Sequence, residues 1–433
     1  MSDDFDREEQ AFAEALRASV ESEEFRPLDP GTVRPAAGPR RRLGGPWLKG
    51  LAAAAAVVVV IGGGGFVLSR FGGHAVSASA GSAPVAGAAA PEDAQDRATE
   101  APDATAAASG RFGSMAAKWT STASSPLSPR MDAAVGWLDG RFYVASGYDQ
   151  ASCGKGALCP ASSALRDGAS YDPASNTWQR IADAPAGLAG TSPVAVGEQL
   201  YFLVPGEGTF VSYDPASDSW STLPSGDSDG HLVAAGEKLV EVAANRRDAG
   251  AEIDRVYDPA SGAWSSLPAD PLGTAGVREA AWADGLLVLS ATQSPGASPT
   301  RLAQLDLDTL TWTKLPTRTL AGHMTAVGSL VVWPGTDSKG AIYDLASSSW
   351  TDVPALAKRE VQGDLLQAVV VAGRVGVGQW LLDPVELTWT QLPDSRLTAS
   401  AGVAAAGSPD GLLLFGGWTG KAFTAQTFFL PVT

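Results

Sequence analysis

Three side chains that could bind a ligand recur at one spacing along the chain. Arg130, His231 and His323 each lie eleven residues after a tryptophan. Guanidinium and imidazole groups form strong charge-assisted hydrogen bonds with anionic and hydroxyl-bearing ligands. The equal spacing predicts that these side chains occupy equivalent points of a repeated structure and surround one opening.

More charged side chains lie in the corresponding parts of other repeats. They are Arg278, Arg359 and Arg396, with Glu279, Glu360 and Asp364 beside them. Together with the first three residues they predict a binding site for an anionic or hydroxyl-rich ligand. The alternative is that these side chains serve the structure, each arginine being held by a neighbouring carboxylate.

The repeat that must position these residues contains an Asp followed six residues later by a Trp. The six Asp residues are Asp172, Asp214, Asp258, Asp306, Asp344 and Asp383, and the Trp residues are Trp178, Trp220, Trp264, Trp312, Trp350 and Trp389. Successive Trp residues are 38 to 48 positions apart, which is the length of a four-stranded propeller blade. Each repeat holds four short apolar runs separated by turn residues. The sequence therefore predicts an all-β propeller.

The Asp and the Trp have different expected roles in this signature. The Asp can accept backbone N–H bonds two or three residues on, and a following Pro presets the turn. The Trp offers the largest apolar area of the blade. We expect it to pack between neighbouring blades and not to contact a ligand.

The two ends of the repeat region complement each other. Trp119 resembles a signature Trp but has no Asp–Pro before it, and the apolar run 425–432 has no Trp strand after it. Placing the early strand beside the late ones closes a seventh blade and removes two open sheet edges. We therefore predict seven blades, with six as the alternative if 119–128 is only linker.

The motif resembles the kelch repeat of β-propellers in the galactose oxidase-like superfamily. The resemblance rests on Tyr-Asp-Pro, a short turn, Trp and Leu-Pro, as in Tyr257–Pro268, and it covers roughly 119–433. The paired glycines expected after the second strand occur at Gly416-Gly417, with a partial match at Ser146-Gly147. The resemblance implies a rigid ring with a central channel.

Some kelch-fold proteins are enzymes. Copper radical oxidases of this fold need two His, two Tyr and a Cys around one metal, but the repeat region has only His231 and His323, and its two Cys lie in one loop. We expect no metal and no cofactor. An epimerase- or lyase-like carbohydrate enzyme remains an alternative, because nearby Arg and Glu residues could supply an acid and a base.

The region before the repeats divides into three parts. Residues 1–46 form a polar tail with a short amphipathic helix, 47–69 an apolar transmembrane helix, and 70–118 a disordered linker rich in Ala, Gly, Ser and Pro. Positive charge concentrates before the apolar run, which predicts a cytoplasmic N-terminus and an extracytoplasmic propeller at 119–433. A cleaved secretory signal is the alternative and also exports the repeats.

Export bears on the two cysteines. Cys153 and Cys159 lie in one Gly- and Ala-rich loop. In an oxidising compartment we expect them to form a disulfide.

Charge and loop length bear on the partners. The net charge is −16, which argues against nucleic acid. Uneven loops on one face of a rigid scaffold are typical of recognition. The sequence therefore favours a membrane-anchored binding module for a carbohydrate, a cell-envelope polymer or a protein. A transmembrane sensor is a further alternative.

Overall fold

Seven β-sheets form a β-propeller in the computed structural model. It describes residues 112–432 except 154–158, 160, 205–206, 226–229, 249–252, 297, 336–339, 357–364, 396 and 400. The first strand of each sheet contacts the first strand of the next, and the last contact returns to the start. The seven-bladed prediction is therefore confirmed.

The expected tail, transmembrane segment and most of the linker lie outside the described residues. Within the part of the chain that the structure describes, no helix has the length and apolar character needed to cross a membrane.

The strands follow the chain in order. Two short strands come first, β1 (Phe112–Ser114) and β2 (Thr120–Ser121). Blade 1 contains β3 (Ala134–Leu138), β4 (Arg141–Ala145), β5 (Gly168–Asp172) and β6 (Thr177–Ile181). Blade 2 contains β7 (Val194–Val196), β8 (Gln199–Val204), β9 (Thr209–Asp214) and β10 (Ser219–Thr222). Blade 3 contains β11 (Gly230–Ala235), β12 (Lys238–Ala243), β13 (Arg255–Asp258) and β14 (Ala263–Ser266).

The later blades repeat this order. Blade 4 contains β15 (Val277–Ala283), β16 (Leu286–Thr292), β17 (Thr300–Asp306) and β18 (Thr311–Arg318). Blade 5 contains β19 (Thr325–Val327), β20 (Leu330–Trp333), β21 (Ala341–Asp344) and β22 (Ser349–Asp352). Blade 6 contains β23 (Leu365–Val371), β24 (Arg374–Gly378), β25 (Trp380–Asp383) and β26 (Thr388–Gln391). Blade 7 contains β27 (Ala404–Gly407), β28 (Gly411–Phe415) and β29 (Thr427–Pro431).

The early strands complete the last two blades. Strand β2 pairs antiparallel with β29 and supplies the fourth strand of blade 7. Strand β1 pairs parallel with β26 and adds a fifth strand to blade 6. The sequence predicts linker at 70–118 and does not reveal β1, because three residues carry no periodic signal.

The core lies between the blades. Each of seven apolar clusters contains residues from two neighbouring blades. The middle strands are therefore covered on both faces, and β28 is buried along its whole length. This explains its unbroken Leu412–Phe415 run, since a strand covered on both faces has no polar side.

The signature Trp residues join each blade to the one before it across an interface that we call a seam. In six of the seven seams the indole N–H donates to a backbone carbonyl at 2.7–3.0 Å. That carbonyl always belongs to the residue four positions after the preceding blade's Trp. The pairs are Trp119–Pro393, Trp178–Ala123, Trp220–Ala182, Trp264–Pro224, Trp312–Pro268 and Trp389–Pro354.

The signature Asp residues close the turns between the third and fourth strands. In all six turns the carboxylate accepts the backbone N–H two residues on, at 2.8–3.1 Å. Hydrogen bonds from the residue three positions on lower the pKa of Asp172, Asp214, Asp306 and Asp344. These bonds fix the register in which the Trp strand returns.

Paired glycines allow blades 7 and 1 to approach closely. Gly416 and Gly417 have positive φ angles of 69° and 108°, a region that favours glycine. A Cβ on Gly416 would lie 2.4 Å from the carbonyl oxygen of Arg130. The N–H of Gly417 donates to that same oxygen at 2.8 Å.

Replacing Gly417 with Ala should distort the part of blade 7 that presents this N–H to Arg130. A Cβ there would lie 2.6 Å from the Cβ of Ala399 and 2.9 Å from the carbonyl oxygen of Ala401. Gly420→Ala is the matched control, because Gly420 also has a positive φ but open space around it. We expect Gly420→Ala to cost about 1–2 kcal/mol and Gly417→Ala roughly 1–3 kcal/mol more, measured by urea unfolding. Equal losses would contradict this account of the closure.

Candidate functional site

The course of each blade brings two kinds of connection to one face. A first strand begins where the second ends and the third begins, so blade-to-blade connections and second-to-third connections share a face that we call the loop face. The opposite turn face carries the signature turns. The second-to-third connections range from the single residue Gln379 in blade 6 to residues 146–167 in blade 1. The loop face is therefore the irregular face of the ring.

Arg130 lies on the loop face before β3, and its side chain is fully buried. Its two terminal nitrogens donate to the carboxylate oxygens of Asp167 at 2.7 and 3.0 Å. The remaining N–H donors bind the carbonyls of Ser128 and Ser146 and the Ser128 hydroxyl. All five donors of this guanidinium are thus used within the protein.

The pKa of Asp167 shows the effect of its ion pair with Arg130. Burial alone raises the pKa of the Asp167 carboxyl, but the hydrogen bond and charge of Arg130 outweigh that effect and leave the pKa lowered. The pair ties the long connection of blade 1 to the start of its first strand.

Arg278 lies in β15 and belongs to a buried network between blades 3 and 4. Its guanidinium donates to both oxygens of Asp254, at 2.9 and 2.5 Å, and to Asp270 at 2.8 Å. Arg246 also forms an ion pair with Asp270. Two arginines and two aspartates balance their charges here, which is the condition for burying them without a large desolvation penalty.

Glu279 is the next residue of β15 and interacts with histidines of both neighbouring blades. Its Oε1 lies 2.6 Å from Nδ1 of His323, and its Oε2 accepts the backbone N–H of Met324 at 2.9 Å. The hydrogen bond with Glu279 raises the pKa of His323. Burial lowers the pKa of His231, and the charge of Glu279 opposes that effect. The structure thus gathers a carboxylate and two imidazoles from blades 3, 4 and 5.

The three side chains with equal sequence spacing differ in their structural positions. Arg130 lies four residues before β3, His231 is the second residue of β11, and His323 lies two residues before β19. The connections that lead to these three strands span 122–133, 223–229 and 319–324, so an equal count from the Trp reaches different points. Of the other predicted arginines, Arg359 and Arg396 lie outside the described residues, as do Glu360 and Asp364.

Sequence reasoning missed Asp132 and Tyr148. Asp132 has a φ of 53°. Its N–H donates to Gly402 of blade 7, and its carbonyl accepts from Gly190 of blade 2. Burial raises the pKa of the Asp132 carboxyl. No motif marks a left-handed Asp, and its only sequence signal is its place two residues after Arg130.

Tyr148 lies beside Asp132 above a small apolar cluster. Burial raises the pKa of the Tyr148 hydroxyl, and the charges of Asp132 and Glu207 raise it further. The cluster beneath comprises Met131, Phe423 and the Cys153–Cys159 disulfide, with Tyr148 and Trp418 packed against it. The disulfide thus holds the long connection of blade 1 against the loops of blade 7.

These groups can donate and accept hydrogen bonds, and Glu279 with His323 can exchange a proton. In the part of the chain that the structure describes, no three His, Cys, Asp or Glu residues lie close enough to hold a metal ion. No protein-family model matches the sequence, and no curated protein matches it significantly. The side chains of the site therefore provide the evidence on function.

Asp132→Asn should stabilise the protein at neutral pH. The raised pKa means that the ionised carboxylate is disfavoured in the fold, so stability is lost as pH rises from about 3.9 through the folded-state pKa. Asn tolerates the left-handed φ. We expect the melting temperature to rise by roughly 1–3 °C at pH 7 and by nothing at pH 3.

Asp284→Asn is the matched control for this experiment, because Asp284 also has a left-handed φ, of 48°, but is exposed. It should leave the melting temperature unchanged at both pH values. A lower melting temperature for Asp132→Asn at pH 7 would show that the carboxylate is stabilising, contrary to our interpretation.

Proposed function

We propose that this protein is a membrane-anchored binding module. Its propeller is of the kelch type and recognises a carbohydrate, a cell-envelope polymer or a protein through the loop face, outside the cytoplasm. Propellers commonly serve as binding or interaction modules, because a rigid ring can carry variable loops at low cost to stability.

Two features support the kelch assignment. One is the Asp-to-Trp signature, whose Asp closes a turn and whose Trp bonds to the preceding blade. The other is the Gly416-Gly417 pair, at which the backbones of blades 7 and 1 approach each other. Both are properties of the repeat and not of one loop.

The observation that carries the proposed function is the gathering of polar side chains on the loop face around His231, Glu279 and His323. Two of the predicted ligand-binding arginines, Arg130 and Arg278, lie among the described residues, and both are already bound by aspartates. Imidazole and carboxylate groups suit hydroxyl and amide partners, as found in glycans and peptides. We therefore favour a ligand rich in these groups over a strongly anionic polymer.

A second candidate function rests on the Glu279–His323 pair. A carboxylate 2.6 Å from an imidazole can orient the ring and favour its protonated form, as in general acid–base catalysis. This pair favours a carbohydrate epimerase or lyase as the alternative.

A ligand screen separates these candidates. The full-length protein is tested by thermal shift against glycans and envelope-polymer fragments, because a ligand at 100 times its Kd stabilises by about 2.7 kcal/mol. We expect His231→Ala to weaken binding about five-fold or more, the effect of one lost hydrogen bond. Val385→Ser is the control, since Val385 is 73% exposed in a turn of blade 6. Loss of binding in the control alone would place the ligand on the turn face.

The same screen includes a test for turnover. Each stabilising compound is incubated with the wild-type protein and examined by mass spectrometry. Unchanged ligand supports the binding module. If the wild type converts a compound and Glu279→Gln does not, the result would contradict the binding module and support the enzyme.

Membrane placement has its own test. A protease added to intact cells should cleave a tag fused after Thr433, because we place the propeller outside the cytoplasm. Protection of the tag until the cells are lysed would overturn this topology. A soluble, shortened protein in the medium would instead indicate a cleaved signal.

A further inference from the structure

The seam between blades 4 and 5 departs from the rule that the other seams follow. The indole nitrogen of Trp350 is buried, and no hydrogen-bond partner for it is found among the described residues. By the spacing of the other six seams, its partner would be the carbonyl of Pro316, four residues after Trp312.

The length of one strand explains the exception. In the other seams the accepting residue lies one or two positions beyond the end of the preceding outer strand, as Pro268 does after β14. Strand β18 continues to Arg318, so Pro316 lies within the strand, at a shift in its register with β17. The chain has therefore not turned toward the next blade when it reaches the position of the acceptor.

A charged side chain occupies the outer edge of this seam instead. The Arg318 guanidinium lies 5.4 Å from the centre of the Trp350 ring and pairs with Asp352, two residues further along β22. Asp352 is 77% exposed. An exposed ion pair contributes little and is weakened by salt.

The loop-face end of the seam also depends on charge. Glu279 of blade 4 binds the His323 imidazole and the Met324 N–H at the start of blade 5. The seam between blades 7 and 1, by contrast, is bridged near the mouth by neutral backbone bonds between Asp132 and Gly402 and between Gly417 and Arg130. The 4–5 seam thus has charge-dependent contacts at both ends.

We propose that the seam between blades 4 and 5 is a pH-responsive joint of the ring, closed by the Glu279–His323 contact and lacking the tryptophan hydrogen bond of the other six seams. The seam keeps its apolar filling, which includes Trp333 and Tyr343. Its opening is therefore local and does not unfold the ring.

The first two strands of blades 4 and 5 carry few charges at this joint. Among the described residues of β15, β16, β19 and β20, the charged side chains are Arg278 and Glu279, and Arg278 is engaged by Asp254 and Asp270. The charge of Glu279 also acts on His231 of β11. Arg318 and Asp352 lie at the outer end.

The direction of the pH response follows from the His323–Glu279 bond. The pKa of His323 is raised in the fold, so the contact is strongest below about pH 6.5 and weakens as pH rises through the raised value. The joint is therefore tighter at pH 6 than at pH 8.

This joint would regulate the proposed binding site. A ligand group that takes a hydrogen bond from His323 or donates one to Glu279 competes with the closing contact. Only this consequence rests on the proposed function, since the joint itself can be measured without a ligand.

A matched pair of substitutions in the full-length protein tests the missing hydrogen bond. Trp312→Phe and Trp350→Phe both keep an aromatic ring and lose the indole N–H. Trp312→Phe should reduce the folded-to-unfolded ratio about five-fold more than Trp350→Phe, because only Trp312 loses a hydrogen bond. Equal losses would refute the special character of this seam.

Hydrogen exchange without ligand tests the pH response. After correction for intrinsic rates, amides of β19 should exchange several-fold faster at pH 8 than at pH 6. Those of β7, an equally short first strand in a blade without histidine, should not change. His323→Gln should remove this difference and leave the exchange at β7 unaltered. A pH difference that persists in His323→Gln, or is absent in the wild type, would overturn the proposal whatever the ligand screen finds.

Discussion

The ring depends on one contact that passes from blade to blade, the bond between a signature indole and a carbonyl of the preceding blade. The indole fills the seam with its apolar area and satisfies its single N–H at the same time. The accepting carbonyl is in place only if the preceding outer strand has ended and the chain has turned. The bond of each seam therefore depends on where the outer strand of the preceding blade ends. In this way a repeat of 38 to 48 residues can build a closed ring although its loops vary.

Much of the fold could be predicted because the signals are local. The Asp closes a turn within its own residues, and the Trp sits at a fixed distance from it, so the blade count follows from the spacing. The closure by Trp119 was predictable for a different reason, since an incomplete ring would leave sheet edges open. Strand β1 was not predictable, because it takes its stability from β26 and not from its own sequence.

The candidate site was harder to predict, because a charged side chain has the same appearance in sequence whether it meets a ligand or an internal partner. Arg130 is bound by Asp167, 37 positions along the chain, and Arg278 by Asp254 and Asp270. No spacing rule links these partners, since they lie on connections of different lengths. The aspartate partners balance the charges of the buried arginines. Asp132 was hard to predict for another reason, since its position depends on a left-handed backbone conformation.

Two kinds of contact stabilise the ring at different distances from its channel. Indole bonds act near the outer strands, whereas polar side chains such as Glu279 meet their neighbours near the channel, where the first strands approach each other. A polar group at the mouth can therefore rarely face a ligand without also touching the next blade. Binding at such a site must change the free energy of a seam. The change should matter most where the outer bond is missing, because there the inner contact carries a larger share of the seam. A single elongated strand, β18, accounts for the missing outer bond in the seam that contains Glu279 and His323.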